Sequence, residues 1–223
     1  MISLDPYLLY GFCFFVGSIP SAFILARVFK GIDLRFVGSG SLGASNIGVQ
    51  VGRLWMVPVI LFDLLVKGTF PVLLAQTVLS SGWDGFSLAV APLIVLVCHN
   101  WCCCLKFDGG RGILVLIGSL MLLSPGICAT VLVVGLCVSL VTRNVPLTVL
   151  VGLMIMPFVA LLWNADLSVL VFTILAILVV LLKRILGNRG RRAKDISRMK
   201  LLVNRILFDR DITSRIEWIN GSC

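Results

Sequence analysis

Two glycine-rich segments carry most of the side chains able to do chemistry. The first reads Gly38-Ser39-Gly40-Ser41-Leu42-Gly43-Ala44-Ser45-Asn46, the second Lys106-Phe107-Asp108-Gly109-Gly110-Arg111-Gly112. Glycine lets backbone N–H groups turn inward around an anion without Cβ obstruction. Ser39, Ser41, Ser45 and Asn46 add neutral polar groups, while Lys106 and Arg111 add positive charge. Arginine offers a fork suited to phosphate oxygens. Arg111-Gly112 also precedes an apolar run, and a helix start favours negative charge. One such segment is as readily a tight turn between helices. Two of them, with these polar partners, point to a phosphate site.

His99 is the sole histidine of the chain. A lone histidine is commonly a hydrogen-bonded structural residue. Near phosphate-binding loops it can also act as a donor or proton carrier. Asp63 and Lys67 stand four residues apart in an apolar run and so share a helix face. Their pairing predicts a brace that keeps two charges together inside the membrane. Cys98, Cys102, Cys103 and Cys104 invite a metal reading beside His99. Three adjacent thiols point to different sides of a helix, however, and no metal site is expected.

The elements that must position these residues are membrane spans. The chain has 223 residues, 59% hydrophobic and 13% charged, with mean hydropathy +1.10. These values exclude an ordinary water-soluble domain. Apolar runs cover Tyr7–Phe29, Leu54–Leu79, Phe86–Leu105, Gly126–Val141, Pro146–Trp163 and Leu167–Leu182, with a short one at Ile113–Leu123. Charge placement decides whether the short run crosses. Arg27, Lys30, Arg35 and Arg53 flank the first connection, Lys106 and Arg111 the third, Arg143 the fifth, and a basic tail follows the last run. Asp84 and Asp166 mark connections without Lys or Arg, and Asp5 precedes the first span. The positive-inside rule then makes Ile113–Leu123 a short span ending at Ser124-Pro125. The expected fold is all-α: a polytopic membrane protein of about seven helices, with the N-terminus outside and the C-terminus cytoplasmic. No basic leader precedes Asp5, so no cleaved signal is expected.

The net charge is +9, and the 11 Lys/Arg against 4 Asp/Glu from Lys183 onward supply +7 of it. That location suits a juxtamembrane tail, and no nucleic-acid partner is expected. Two regions follow: a seven-helix membrane domain over 1–185 and a basic tail over 186–223. Ile196, Met199, Leu202, Val203 and Ile206 recur at helical spacing opposite basic positions, which predicts an amphipathic helix lying on anionic lipid. The tail is assigned no chemistry.

Several motifs together resemble the bacterial acyl-phosphate:glycerol-3-phosphate acyltransferases of the PlsY type. They are Gly17-Ser18-Ile19-Pro20, Gly31-Ile32-Asp33-Leu34-Arg35 leading into the first glycine segment, and Asp63-Leu64-Leu65-Val66-Lys67-Gly68-Thr69-Phe70-Pro71. His99 with the second glycine segment, and Thr142-Arg143 before Pro146-Leu147-Thr148, continue the match in order over roughly residues 7–185. The chain departs from the family pattern at Ser41 (usually Asn), Ser45 (usually Thr), Val49 (usually Arg) and Arg111 (usually Lys). Pro146 and Val149 replace two serines of the third motif, and Asn188 is a displaced candidate for an asparagine after the last span.

The resemblance implies a bacterial inner-membrane enzyme of phospholipid synthesis. It would move a fatty acyl group from acyl-phosphate to glycerol 3-phosphate, giving lysophosphatidate, without cofactor or metal. Ser39 and His99 are then the expected catalytic residues. Gly40, Ser41, Gly43, Ser45, Asn46, Lys106, Gly109, Gly110 and Arg111 are expected to hold substrate phosphate. Membrane lipids are the expected surroundings; the sequence assigns no oligomeric state. Two alternatives stay open: a family member with an altered acceptor or no turnover, and a small-anion transporter built on broken helices.

Overall fold

The computed structural model describes residues 6–78, 85–188 and 196–220. Asp5 and Asp84 therefore lie outside the described residues, as does the end of the second apolar run. Among the described residues every regular element is helical. Six stretches are long and apolar enough to cross a membrane: Pro6–Lys30, Arg53–Val78, Leu88–Leu105, Pro125–Thr142, Val145–Leu162 and Leu167–Leu186. The short apolar helix Ile113–Leu123 joins them. This is an integral membrane bundle.

The first stretch is not one helix. α1 (Pro6–Gly17) stops and α2 (Ser21–Lys30) starts after Pro20. Proline has no N–H and crowds the preceding turn, so the ladder is interrupted here. The break leaves the Ser18 and Ile19 carbonyls open to other partners: Ile19 O accepts from Lys67 Nζ and Ser18 O from Cys102 Sγ. α3 (Ala44–Gln50) follows the first glycine segment. α4 (Met56–Leu61) then passes into a π-helical stretch, Phe62–Thr69, which continues as α5 (Phe70–Val78). π-helical turns are rare and concentrate at functional sites. This one holds Asp63 and Lys67.

α6 (Gly85–Asn100) brings His99 to its last turn, and α7 (Ile113–Leu123) opens just after the second glycine segment. With 11 residues, α7 is only about 16 Å long, against the ~30 Å hydrocarbon core. Close packing against the π-helical stretch holds it. A Cβ at Gly68 would meet the Val115 carbonyl oxygen at 2.7 Å and Gly118 Cα at 2.8 Å. Thr69 Oγ1 donates to Gly118 O at 3.2 Å, and Ser119 Oγ to Gly68 O at 3.3 Å. Small residues that let helix backbones approach are the usual packing device inside lipid.

α8 (Pro125–Thr142) and α9 (Val145–Leu162) form a hairpin, and the Asn144 side chain caps α9 by accepting from Leu147 N at 3.4 Å. α10 (Leu167–Leu186) is the last span. The tail then forms α11 (Arg198–Phe208) and α12 (Arg215–Asn220).

Two apolar cores result. The larger runs through α1 and α5 to α10, with Leu96, Leu120, Ile127, Met156 and Phe172 fully buried. The smaller sits directly beneath the first glycine segment and joins Ala22, Leu34, Leu42, Ile47 and Val59 to Cys102 and Leu105. That second core anchors the loop to the bundle end. Loops without such an anchor would not hold side chains to the tolerance that chemistry needs.

Candidate active site

The two glycine segments meet, and Asn188 joins them. Asn188, just beyond α10, donates from Nδ2 to Gly40 O at 2.8 Å and to Gly109 O at 2.9 Å; its Oδ1 accepts from Gly109 N at 3.3 Å. Leu42 N also donates to Gly109 O, at 3.3 Å. Glycine is required where the second segment passes the end of α6. A Cβ at Gly109 would strike the His99 and Asn100 carbonyl oxygens, and one at Gly110 would strike His99 Nε2.

The loop amides do not converge on an open cradle, as the sequence had suggested they would. Gly110 N donates to His99 O at 3.1 Å, Gly40 N to Val37 O at 3.1 Å, and Ser39 N to Asn46 Oδ1 at 3.1 Å. Asn46, expected to hold phosphate, is buried and fully engaged within its own loop. Its Nδ2 contacts the carbonyls of Leu34, Val37 and Ser41 at 3.0–3.3 Å. It organises the loop. Asp33 shapes the entry: Arg35 Nη2 lies 2.7 Å from Asp33 Oδ2 and holds that carboxyl below the usual carboxylate range.

His99 and Ser39, the two residues expected to be catalytic, line different cavities. The first cavity lies beside the α1–α2 break and is lined by Ile19, Ser21, Leu42, Lys67, His99, Gly109 and Gly110. The second lies under the tail and is lined by Ser39, Gly40, Arg111, Arg184, Asn188, Arg205, Asp209 and Arg210. Gly40 and Gly109, joined through Asn188, stand one on each. Ser41 and Gly43 are half-buried, Ser45 and Lys106 are exposed, and none of the four lines either cavity.

The Asp63–Lys67 pair forms, with Lys67 Nζ 3.2 Å from Asp63 Oδ1. It is more than a brace within one helix. Lys67 Nζ also donates to Ile19 O at 2.6 Å and lies 3.1 Å from His99 Nδ1, while Ser21 Oγ donates to Asp63 Oδ1 at 3.0 Å. The pair and the histidine are therefore one buried polar cluster, built where the broken first helix exposes its carbonyls.

In the second cavity Arg111 already has an anion. Its guanidinium Nε is 2.7 Å from Asp209 Oδ1, and Nη1 donates to Lys183 O at 3.2 Å. Asp209 follows α11, so the tail is part of the site region. Arg205 docks that tail. It donates to the Ile185 and Leu186 carbonyls at 2.7 and 3.0 Å, satisfying the end of α10, and pairs with Asp211 at 2.7 Å. Arg184 adds bonds to Ile206 O and Pro146 O at 2.9 and 3.1 Å. The helix expected over Ile196–Ile206 is present as α11. One side docks on the bundle through Asn204 and Arg205, while Met199, Leu202 and Val203 remain exposed.

Sequence reasoning missed Ser21 and Asp209 altogether and carried Asn188 only as a displaced candidate. A hydroxyl just after a mid-span proline, and an acid closing a basic helix, are the local signals that were available.

A bundle of apolar spans whose loop end gathers a buried histidine cluster and an arginine-rich cavity defines a membrane protein equipped to handle anions. Residues 7–192 match the glycerol-3-phosphate acyltransferase family. Glycerol-3-phosphate acyltransferase 5 of Dehalococcoides mccartyi is 30% identical over 213 residues, covering 93% of this chain and 89% of the relative. The Gloeobacter violaceus glycerol-3-phosphate acyltransferase is 37% identical over 165 residues, covering 73% and 79%. Among solved structures, the glycerol 3-phosphate form of PlsY, an integral membrane glycerol 3-phosphate acyltransferase, superposes with TM-score 0.73 at 27% identity, covering 84% of this chain and 95% of that one. The lysophosphatidic acid form of PlsY gives TM-score 0.71 at 26% identity, covering 84% and 94%. The chain belongs to the glycerol-3-phosphate acyltransferase family, the membrane acyltransferases of phospholipid synthesis.

Proposed function

We propose that this protein transfers a fatty acyl group from acyl-phosphate to a hydroxyl of glycerol 3-phosphate. The hydroxyl oxygen attacks the acyl carbonyl carbon, the carbon–oxygen bond to phosphate breaks, and the hydroxyl proton leaves with the phosphate. Lysophosphatidate and inorganic phosphate result. The observation that carries this reading is the Asn188 junction, which holds Gly40 and Gly109 between two cavities, one with Lys67 and His99 in its wall and one lined by arginines. Two phosphorylated substrates need two neighbouring places for charge, and positioning them supplies most of the rate.

Arg111 and Ser39 belong to the glycerol 3-phosphate side of this scheme, where substrate phosphate replaces the Asp209 carboxylate on the guanidinium. His99 belongs to the acyl-phosphate side, near the apolar spans that would take the acyl chain. Gly40, Gly109 and Gly110 serve by close approach. Asn46 and Asn188 serve by fixing the loops.

The membrane is the bacterial inner membrane, with the loop end and the C-terminus on the cytoplasmic side. Basic residues at that end and Asp166 at the other support the orientation. The direct experiment measures phosphate release from acyl-phosphate by purified protein, with and without glycerol 3-phosphate. Acceptor-dependent release is expected. Release that ignores the acceptor, or none from a folded sample, overturns the reading. A cysteine at Asp166 should be labelled from outside intact cells and one at Gly109 protected; the reverse overturns the orientation.

A further inference from the structure

We propose that Lys67 is a positioning residue that fixes His99 as its Nε2–H tautomer, so that the histidine meets substrate as a hydrogen-bond donor and not as a base. The proposal rests on the functional reading above for its substrate, but not for its tautomer.

The argument is an inventory of protons. A lysine ammonium has three N–H donors and no acceptor. Lys67 Nζ has three partners: Ile19 O at 2.6 Å, His99 Nδ1 at 3.1 Å and Asp63 Oδ1 at 3.2 Å. Facing an ammonium, Nδ1 must offer its lone pair. The single proton of the neutral ring then sits on Nε2.

The nearby carboxylate does not reverse this assignment. Asp63 Oδ1 is 3.9 Å from Nδ1, beyond hydrogen-bond reach, and is taken by the ammonium and by Ser21 Oγ at 3.0 Å. In a Ser-His-Asp triad a carboxylate accepts from Nδ1–H and leaves Nε2 as the proton acceptor. Here an ammonium stands where that carboxylate would, and the polarity of the ring is inverted.

Burial keeps the arrangement in place. Asp63, Lys67 and His99 are 2%, 1% and 7% exposed, so water does not compete for Nδ1. The fold supplies each part: the Pro20 break frees the Ile19 carbonyl, and the π-helical stretch carries Asp63 and Lys67 on one face. Nε2 is turned toward Gly110, where even a methyl group would overlap it. His99 also lines the first cavity, so an Nε2–H donates to an oxygen of acyl-phosphate bound there, either the carbonyl that gains charge on attack or the departing phosphate. Donors placed in advance at such oxygens lower the barrier without themselves changing protonation.

The sole histidine makes the test specific. Protein labelled with 15N-histidine, reconstituted in lipid nanodiscs without substrate, yields ring-nitrogen signals from His99 alone. A protonated Nε2 with a bare Nδ1 is expected. A protonated Nδ1, whether in the other tautomer or in the imidazolium, overturns the proposal. The double variant Asp63→Asn, Lys67→Met leaves no buried charge unpaired and removes the lock. It should give a mixture of tautomers and lower kcat about two- to fivefold, in proportion to the Nε2–H fraction lost, with KM for glycerol 3-phosphate nearly unchanged. A double variant that keeps the pure Nε2–H signal and full kcat removes Lys67 from the role. Because the spectrum is read without turnover, an inactive protein with the locked tautomer would fail the functional reading alone.

Discussion

If Arg111 takes substrate phosphate as proposed, Asp209 must compete for it, and changing Asp209 to asparagine measures how strongly. Asparagine suits the position, because Asp209 closes α11 in the left-handed conformation, at φ 53°, which asparagine also adopts. The carboxylate and guanidinium are 2.7 Å apart with side chains 20% and 16% exposed. Partly screened pairs of this kind contribute about 1 kcal/mol or less. Charge-assisted contacts from the same guanidinium to a phosphate are worth about 1.5–3 kcal/mol. On the proposed reading phosphate therefore wins, but against a standing competitor. Asp209→Asn should lower KM for glycerol 3-phosphate by up to about fivefold, the ratio equivalent to 1 kcal/mol. Arg111→Ala should raise it about 10- to 100-fold, and Arg111→Lys should recover part by keeping the charge without the fork. With Arg111 gone there is nothing to compete for, so the double variant should match Arg111→Ala. The assay is initial rate against glycerol 3-phosphate at saturating acyl-phosphate. A raised KM in Asp209→Asn, or unchanged kinetics in Arg111→Ala, refutes the competition.

Three further outcomes follow from the same contacts. Asn188→Ala strands the Gly40 carbonyl and the Gly109 amide and leaves Gly109 O only its bond from Leu42 N, and should cost about 2 kcal/mol, lowering Tm by about 4–8 °C together with activity; an unchanged melting curve would show that the loops hold without it. Gly110→Ala should abolish turnover, because its Cβ overlaps His99 Nε2, whereas Gly135→Ala on α8 meets only Thr148 Cγ2 at 3.7 Å and should remain active; equal activities would remove Gly110 from the site. Asp63→Asn and Lys67→Met made singly should each lower Tm, and the double change should recover part of the loss, since neither charge is then left unpaired; strictly additive losses in the melting scan would contradict the pairing.

The helices and the loop chemistry were legible in the sequence because both are written locally. Runs of apolar residues, Pro20 at the break, and glycine at 109, 110 and 112 act over a few neighbours, and the observed spans fall close to those read from composition. The Asp63–Lys67 pair was legible for the same reason, since four residues along a helix is one turn. The glycine segments were also rightly seen as belonging together, through their shared polar content and a resemblance that extends along the chain.

What the sequence could not decide is which partner each polar group takes. Asn46 reads like a phosphate ligand, yet the carbonyls of Leu34, Val37 and Ser41 converge on it once the loop closes. Asn188 lies 148 residues from Gly40 and Asp209 lies 98 from Arg111, separations at which only helix packing determines contact. Ser39 and His99 sit in segments that touch, but the fold turns them into separate cavities. The role of Lys67 depends on three partners from three different segments, the Ile19 carbonyl, Asp63 and His99. Residue type sets what a side chain can donate or accept; burial and packing against distant helices set what it meets, and in a membrane bundle there is little water to offer an alternative.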